Sequence, residues 1–153
     1  MKNYNKIVAI QGDPIQKINI KTDTTFLLAL EAQKRGYKIY YYETKNLTFV
    51  NNRVVALCKE VKFNQKEKNF FSIKKIKSLD LATVDFILMR QNPPFNMDYI
   101  TATFLLEKIA KKTRIINDPF SVRNMPEKLY SINFLKFMPS TIFTKNIEEI
   151  KKF

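Results

Sequence analysis

The chain has 153 residues, of which 45% are hydrophobic, 27 are Lys or Arg and 14 are Asp or Glu, giving a formal net charge of +13. This composition suffices for one hydrophobic core, and no run of roughly 18 apolar residues predicts a membrane-spanning helix. The chain has no His and one Cys, Cys58, which excludes histidine-based triads, Cys–His dyads and the usual zinc sites. A lone Cys cannot form an internal disulfide and no signal-peptide pattern is present, so we expect a cytoplasmic protein.

The positive charge raises the question of a polyanionic partner. The lysines are spread through predicted helices and turns, and the chain is also rich in Asn and Ile, a pattern typical of compositional bias. No Gly-aromatic RNA signature, zinc spacing or helix-turn-helix pattern is present. We therefore predict no nucleic-acid partner and no membrane partner, while a basic nucleic-acid-binding domain stays open as an alternative.

The first part of the chain predicts a strand–helix–strand unit. An apolar β-branched run predicts a strand over residues 6–11, and an apolar pattern with helical spacing follows a capping residue, Asp23 or Thr22. Gly36 ends that helix, and residues 37–42 predict the second strand. Such units nearly always join parallel strands by a right-handed crossover.

The middle of the chain predicts antiparallel strands. Residues 47–50 and 53–58 flank Asn51 and Asn52, which tolerate the positive φ angles of a hairpin turn. Residues 61–63 and 70–73 are predicted to extend this antiparallel patch. Residues 74–80 are interpreted as a basic, polar connection.

The second half returns to alternating elements. The predicted elements are a buried strand at 84–89, a helix at 97–112, a strand at 114–116, a helix from near 125 to Pro139, a strand at 140–143 and a short helix capped by Asn146. The pattern as a whole predicts an α/β fold: a mostly parallel sheet flanked by helices, with an antiparallel hairpin insertion.

Two loops at the predicted carboxyl edge of the sheet hold the candidate site residues. The loop over residues 12–23 is longer than the ~2 to 6 residues usual for such a connection, and long loops there often bind ligands. Its candidate substrate-binding residues are Asp13, Lys17, Asn19 and Asp23. Asp13 could instead be a simple turn former, and Asp23 a simple helix cap.

Arg90 ends the predicted strand at 84–89, where a charged residue needs a partner to offset its desolvation. The rigid segment Asn92-Pro93-Pro94-Phe95 follows, so Arg90 and Asn92 are candidate substrate contacts. The alternative for this segment is a plain stop between strand and helix. Lys128 lies in the first turn of the helix predicted from near 125, where a cation opposes the helix dipole; its alternative is a solvent-facing lysine.

The glycine content limits nucleotide chemistry. The chain holds two glycines, Gly12 and Gly36, so neither a P-loop nor a dinucleotide fingerprint can be built. We predict no catalytic residue and no metal-binding residue in this chain. Any chemistry must rest on charges placed by Arg, Lys and Asp, or on residues outside the chain.

Several stretches together resemble the N-terminal region of prokaryotic glutathione synthetase. They span nearly all of the chain in order, and they are Asp13-Pro14-Ile15 with Ile18-Asn19-Ile20-Lys21, Leu30-Glu31-Ala32-Gln33-Lys34-Arg35-Gly36-Tyr37, Ile87-Leu88-Met89-Arg90 with Pro93-Pro94-Phe95, Ala102-Thr103 with Leu106-Glu107, and Asn117 with Glu127-Lys128-Leu129. The resemblance implies a Rossmann-like pre-ATP-grasp domain over residues 1–124 and the start of a truncated ATP-grasp region over residues 125–153.

The resemblance also implies a reaction. The family joins γ-glutamylcysteine and glycine with ATP and Mg²⁺ through an acyl phosphate, as a homotetramer, and Lys128 falls on its first ATP-contacting lysine. The family's ATP-grasp lobes are not in these 153 residues. We therefore expect this chain alone to bind neither ATP nor Mg²⁺ and to lack ligase activity. A stand-alone binding or assembly module without catalysis is the alternative.

Overall fold

The computed structural model describes residues 6–66 and 68–153, which form seven β-strands, four α-helices and several short 3-10 helices. The strands are β1 (Ile7–Gln11), β2 (Lys38–Tyr42), β3 (Leu47–Val50), β4 (Arg53–Phe63), β5 (Phe71–Asp80), β6 (Phe86–Met89) and β7 (Arg114–Ile116). The α-helices are α1 (Thr24–Lys34), α2 (Met97–Glu107), α3 (Pro119–Asn124) and α4 (Ile147–Lys152). Within the described residues, no helix is both long and apolar enough to cross a membrane.

The parallel part of the sheet is built around β1. This strand lies between β2 and β6, β7 pairs with the far edge of β6, and all three pairs are parallel. Val8, Ala9 and Ile10 are buried because apolar side chains cover both faces of β1. The carboxyl ends of three neighbouring strands, β2, β1 and β6, therefore lie side by side at one end of the sheet.

The antiparallel part is the predicted insertion, and it is larger than one hairpin. β4 pairs antiparallel with β2, β3 and β5. Asn51 and Asn52 form the turn between β3 and β4 with φ angles of 50° and 59°, as predicted. The α/β class, with helices flanking a mixed sheet that carries an antiparallel insertion, is confirmed.

One prediction in this region is wrong. Residues 74–80 are not a connection but most of β5, which pairs with β4 as far as Asp80. Lys74 and Lys75 are exposed, and β5 has one neighbour in the described sheet, a position where charged side chains discourage pairing with another chain. Lys75 also pairs with Glu60 across the ladder, with 3.2 Å between Nζ and Oε2.

Two helices cover the two faces of the sheet. Phe26 and Ala29 of α1 share a buried cluster with Ile10 and Ile39. Leu106 of α2 belongs to the other cluster, and that cluster also contains Ala9 and Ile87. Neighbouring residues of β1 thus point to opposite faces, as strand geometry requires, and each face has its own core.

The ends of α1 follow the predicted signals. The Asp23 carboxylate accepts a hydrogen bond from the Thr25 N–H at 2.7 Å, which identifies Asp23 and not Thr22 as the N-cap. Gly36 follows the helix with a φ of 81°, a left-handed angle that side chains other than glycine rarely adopt.

The last part of the chain differs from its predicted elements. The helix predicted from near 125 is a run of 3-10 turns over Leu129–Phe137, interrupted by a non-helical Phe134. The strand predicted at 140–143 is absent from the sheet of the described residues. The short final helix is confirmed as α4, with the Asn146 side chain accepting from the Glu148 N–H at 3.0 Å.

Burial explains these two errors. None of the residues 125–153, all within the described part of the chain, is buried. A helix in a protein gains most of its stability by packing its apolar face, and a strand needs a partner for its backbone hydrogen bonds. The described part of the chain supplies neither to this segment.

Candidate functional site

The candidate site lies where the carboxyl ends of β1, β2 and β6 meet. Backbone hydrogen bonds continue past the strands there: the Gly12 N–H donates to the Tyr42 carbonyl at 3.0 Å, and the Arg90 N–H donates to the Gln11 carbonyl at 2.7 Å. These bonds place the loop after β1 beside the loop after β6. A Cβ atom at Gly12 would collide with the Tyr41 hydroxyl, so this close approach requires glycine.

Asp13 joins the two loops. Its carboxylate Oδ2 accepts from the Asn92 side-chain amide at 2.6 Å and from the Asn92 backbone N–H at 3.3 Å. Its backbone carbonyl accepts from the Tyr41 hydroxyl at 2.6 Å. Asp13 is therefore more than a turn former, since it fixes the position of Asn92 from a different loop.

The hydroxyl of Tyr41 stays protonated in this environment. Burial raises its pKa, and the nearby carboxylates of Asp13, Asp23 and Glu43 raise it further, because each disfavours the phenolate. A protonated hydroxyl is the form that donates to the Asp13 carbonyl. The hydrogen bond from the Tyr41 hydroxyl to the Asp13 carbonyl therefore persists at neutral pH.

Arg90 reaches across to the start of α1. Its Nε donates to the Thr25 hydroxyl at 3.1 Å, and its Nη2 donates to the Thr24 hydroxyl at 2.7 Å. These neutral partners hold the guanidinium in place without cancelling its charge, and no ion pair to Arg90 occurs among the residues that the structure describes. The positive end of the α1 dipole lies at the same place.

The other predicted residues of the loop after β1 have local hydrogen-bonding roles. Asp23 caps α1, which was the alternative to substrate binding that the sequence indicated for this residue. The Asn19 side chain accepts from the Lys21 N–H at 3.0 Å, which closes a turn within the loop. Lys17 lies exposed at the end of a short 3-10 helix over Ile15–Lys17.

A cleft of about 120 Å³ brings most of these side chains together, and we name it the α1-side cleft. Five of the six predicted substrate-binding residues line it, together with Thr25 and Tyr41, and these five are Asp13, Lys17, Asp23, Arg90 and Asn92. Asn19 is not among the lining residues. The cleft carries two cations beside two carboxylates, a combination suited to a zwitterionic ligand.

Lys128 lies apart from this cleft. Its side chain is 80% exposed, and its Nζ contacts the Glu127 carboxylate at 2.8 Å. That hydrogen bond raises the pKa of Lys128 and lowers the pKa of Glu127. Such an exposed pair contributes little to stability.

Sequence reasoning missed several residues of the site. Thr24 and Thr25 hold Arg90, and the signal for them is the pair of hydroxyls directly after the capping Asp23. Gln91, between the predicted Arg90 and Asn92, accepts from the Gln11 side-chain amide at 2.9 Å. Nothing in the sequence separates the buried Gln11 from an ordinary strand-end residue.

The described residues offer no ready metal site. No group of three or more Cys, Asp or Glu side chains in residues 6–66 and 68–153 is placed to hold a metal ion. The side chains that line the α1-side cleft offer hydrogen-bonding groups and charges of both signs. This cleft can bind and orient a polar ligand.

Known proteins match this chain over nearly its whole length. A family described as "Prokaryotic glutathione synthetase, N-terminal domain" matches residues 7–123. The glutathione synthetase of Agrobacterium fabrum is 43% identical over 97% of this chain and 46% of its own length. That of Bradyrhizobium diazoefficiens is 44% identical over 95% of this chain and 46% of its own length, and that of Escherichia coli O157:H7 is 40% identical over 95% and 47%.

These matches confirm the resemblance to prokaryotic glutathione synthetase that the sequence shows. The chain spans about half the length of the curated relatives that it matches. It belongs to the prokaryotic glutathione synthetase family, of which it matches the N-terminal domain.

Proposed function

We propose that this chain is the N-terminal part of a glutathione synthase, the ATP-dependent ligase that joins γ-glutamylcysteine and glycine to give glutathione, ADP and phosphate. In this proposal the α1-side cleft forms one wall of the γ-glutamylcysteine pocket. The family membership supports the reaction. The observation that carries the site is the guanidinium of Arg90, held by two threonine hydroxyls at the start of α1.

The chemistry of the ligand fits this arrangement. γ-Glutamylcysteine carries two carboxylates and one free amine. Arg90 uses two of its five N–H groups on Thr24 and Thr25, so three remain for a ligand carboxylate. The positive end of the α1 dipole and the Lys17 ammonium favour the same negative charge. Asn92, fixed by Asp13, adds a neutral polar wall.

The remaining parts of the proposal follow the family. We place the substrate-binding domain at residues 1–124 and the start of the ATP-grasp region at residues 125–153, with Lys128 as an ATP contact. The exposure of the Lys128 side chain leaves it accessible for that contact. ATP and Mg²⁺ would be bound largely by residues outside this chain, in a cytoplasmic homotetramer.

The binding site is tested by titrating the ¹⁵N-labelled chain with γ-glutamylcysteine and following amide NMR shifts. The wild-type chain should show shifts at residues around the α1-side cleft. Arg90→Met should weaken binding roughly 10- to 100-fold, because a hydrogen-bonded charge contributes about 1.5–3 kcal/mol. Arg53→Met is the matched control, since Arg53 is exposed at the start of β4. Equal affinity of the wild-type chain and Arg90→Met would contradict the site.

A second experiment tests whether this chain alone has ligase activity. The purified 153-residue chain should give no ATP hydrolysis that depends on both γ-glutamylcysteine and glycine. Sustained turnover, measured as phosphate release, would show that the chain carries a complete active site. The binding titration and this assay are independent, so the dipeptide site can stand even if the second expectation fails.

A further inference from the structure

Gln11 is a polar residue at the carboxyl end of β1, and its side chain is fully buried. It lies opposite Tyr42 of β2 and Met89 of β6 in the two parallel ladders, and both of these neighbours are buried. Ala9, two residues earlier on the same face of β1, belongs to the core cluster that also contains Leu106 of α2. An apolar side chain would therefore be the ordinary choice at this position.

The side-chain amide of Gln11 makes one hydrogen bond among the described residues. Its Nε2 donates to the Gln91 Oε1 at 2.9 Å, across 80 residues of chain. The Gln11 Oε1 and the Gln91 Nε2 have no hydrogen-bond partner within residues 6–66 and 68–153. One hydrogen bond adds little net stability and a buried unpaired group costs free energy, so stability alone does not explain this pair of glutamines.

The effect of Gln11 is concentrated on the loop after β6. The Arg90 N–H donates to the Gln11 backbone carbonyl at 2.7 Å, and the next residue, Gln91, is held by the Gln11 side chain. Asn92 follows, and the Asp13 carboxylate holds its side-chain amide at 2.6 Å. Three successive residues of this loop are therefore tied to the end of β1 and the residues directly after it.

We propose that Gln11 is a positioning residue for the dipeptide site: through Gln91 it fixes the loop that carries Arg90 and Asn92. This inference rests on the proposed function, in which Arg90 binds a substrate carboxylate. Gln11 and Gln91 do not line the α1-side cleft, so Gln11 acts on that cleft through its neighbours. Binding groups keep their geometry only when the residues behind them are fixed, and a displacement of about 1 Å is enough to weaken a site.

The test separates a positioning role from a packing role by measuring affinity and stability for the same variants. Gln11→Met keeps the approximate volume of the side chain and removes the donor. It should weaken γ-glutamylcysteine binding to the 153-residue chain by about 2- to 10-fold, as expected for the net contribution of one hydrogen bond. The midpoint of urea unfolding should stay at the wild-type value or rise, because an apolar side chain replaces a buried polar one. A packing role would lower the midpoint instead.

A double-mutant cycle shows whether Gln11 acts through Gln91. Gln91→Met removes the same hydrogen bond from the other side and should also weaken binding. In the Gln91→Met background, Gln11→Met should cause no further loss, because the hydrogen bond is already absent. Losses of affinity that multiply in the double variant would overturn the route through Gln91.

The order of the loop gives a readout that needs no ligand. In Gln11→Met, the heteronuclear ¹H–¹⁵N NOE of the Gln91 and Asn92 backbone amides should fall, because these residues lose a fixed neighbour. Amides of α4, which lies in a different part of the chain, should keep their wild-type values. Unchanged NOE values at Gln91 and Asn92 would contradict the positioning role.

Thr113→Val is the matched control, because it also replaces a buried polar side chain by an apolar one of similar shape. The Thr113 hydroxyl lies 2.9 Å from the Leu81 carbonyl oxygen and 3.0 Å from that of Val84. Val84 precedes β6, so this contact lies at the opposite end of that strand from Arg90. Thr113→Val should lower the midpoint of urea unfolding and leave the dipeptide affinity unchanged.

The possible outcomes distinguish this inference from the proposed function. If the wild-type chain and Gln11→Met bind the dipeptide equally well, Gln11 is not a positioning residue, while the Arg90 site stands. If Gln11→Met does not fold, Gln91→Met decides, because the Gln91 side chain is only half-buried, and unchanged affinity there overturns the inference. If the wild-type chain does not bind the dipeptide, the proposed site is wrong and the positioning role falls with it.

Discussion

Residues 6–124 and residues 125–153 use the same kinds of side chain in opposite ways. In the first region large apolar residues are enclosed between a sheet and the helices α1 and α2, as with Phe26 and Leu106. In the second region Leu135 is 60% exposed and Phe137 76% exposed. The difference is the presence of a second layer. An apolar stripe becomes a core only where another element covers it.

This comparison separates local structure from stability. The helix α4 forms in the second region because Asn146 caps it and because two ion pairs, Glu148–Lys151 and Glu149–Lys152, link successive turns. Local signals therefore suffice for a short helix there. They do not produce burial, so we expect mutations in the two regions to differ in their effect on the free energy of unfolding.

The largest expected effect comes from the core. Leu106→Ala removes a fully buried side chain from the cluster between α2 and the sheet, and it should lower the free energy of unfolding by about 2–5 kcal/mol. Leu135→Ala, the same change at an exposed position, should alter it by less than about 0.5 kcal/mol. Urea unfolding followed by circular dichroism measures both. Equal losses would mean that Leu135 is packed in solution.

A smaller effect is expected from Arg123, which fixes α3 against α2. Its Nη2 contacts the Glu107 carboxylate at 2.7 Å, and its guanidinium carbon lies 3.8 Å from the centre of the Phe104 ring. Arg123→Met should cost roughly 1–2 kcal/mol, because the Arg123 side chain is 13% exposed while the Glu107 carboxylate, at 39% exposed, is partly screened by solvent.

The matched cation in the second region is Lys128, whose pairing with Glu127 is fully solvated. Lys128→Met should leave the midpoint of urea unfolding unchanged, because a fully solvated ion pair adds little to stability. The same urea series measures both substitutions. A loss at Lys128 comparable to that at Arg123 would contradict the difference between the regions.

The smallest effect is a dependence on alkaline pH. Burial raises the pKa of the Cys58 thiol to about 12, with Lys77 opposing part of the rise, whereas an exposed thiol ionises at about 9.0. The unfolded chain therefore loses this proton at a lower pH than the folded chain. The contribution of the Cys58 thiol to the free energy of unfolding is therefore fully present below pH 9.0 and declines as the pH rises towards 12.

At pH 10 the loss from Cys58 should be about 1.4 kcal/mol relative to pH 7, since one pH unit corresponds to 1.36 kcal/mol. The measurement is urea unfolding of the wild-type chain and of Cys58→Ala at both pH values. Between pH 7 and pH 10, the unfolding free energy of Cys58→Ala should fall less than that of the wild-type chain by about this amount. The two proteins share every other titrating group. An identical pH dependence would show that Cys58 is accessible in the folded protein.

Much of the fold could be predicted from local signals. The turn at Asn51 and Asn52, the cap at Asp23 and the stop at Gly36 each have a chemical cause that acts within a few residues, and all three are confirmed. Residues 74–80 were missed because an edge strand can carry lysines that resemble a loop. The predicted helix near 125 and strand at 140–143 were wrong because their patterns presuppose a neighbour.

The candidate site shows the same limit. Parallel strands bring their carboxyl ends together, so the sequence could predict that Asp13, Arg90 and Asn92 lie at the same end of the sheet. These three residues do line the α1-side cleft. Their substrate-binding roles remain predictions. The hydrogen bond between Gln11 and Gln91, which are 80 residues apart, could not be predicted, because it depends on the register between β1 and β6.

The hydrogen bonds of Asp13 have a consequence for ligand affinity. Asp13 fixes the Asn92 side chain through its carboxylate and accepts from the Tyr41 hydroxyl at its carbonyl. It lines the α1-side cleft and also a neighbouring cleft at the start of α2. A ligand that shifts Asp13 in one cleft also changes the geometry of the other. Two ligands that each shifted Asp13, one in each cleft, would therefore be thermodynamically coupled, and each would change the affinity of the other by the same factor.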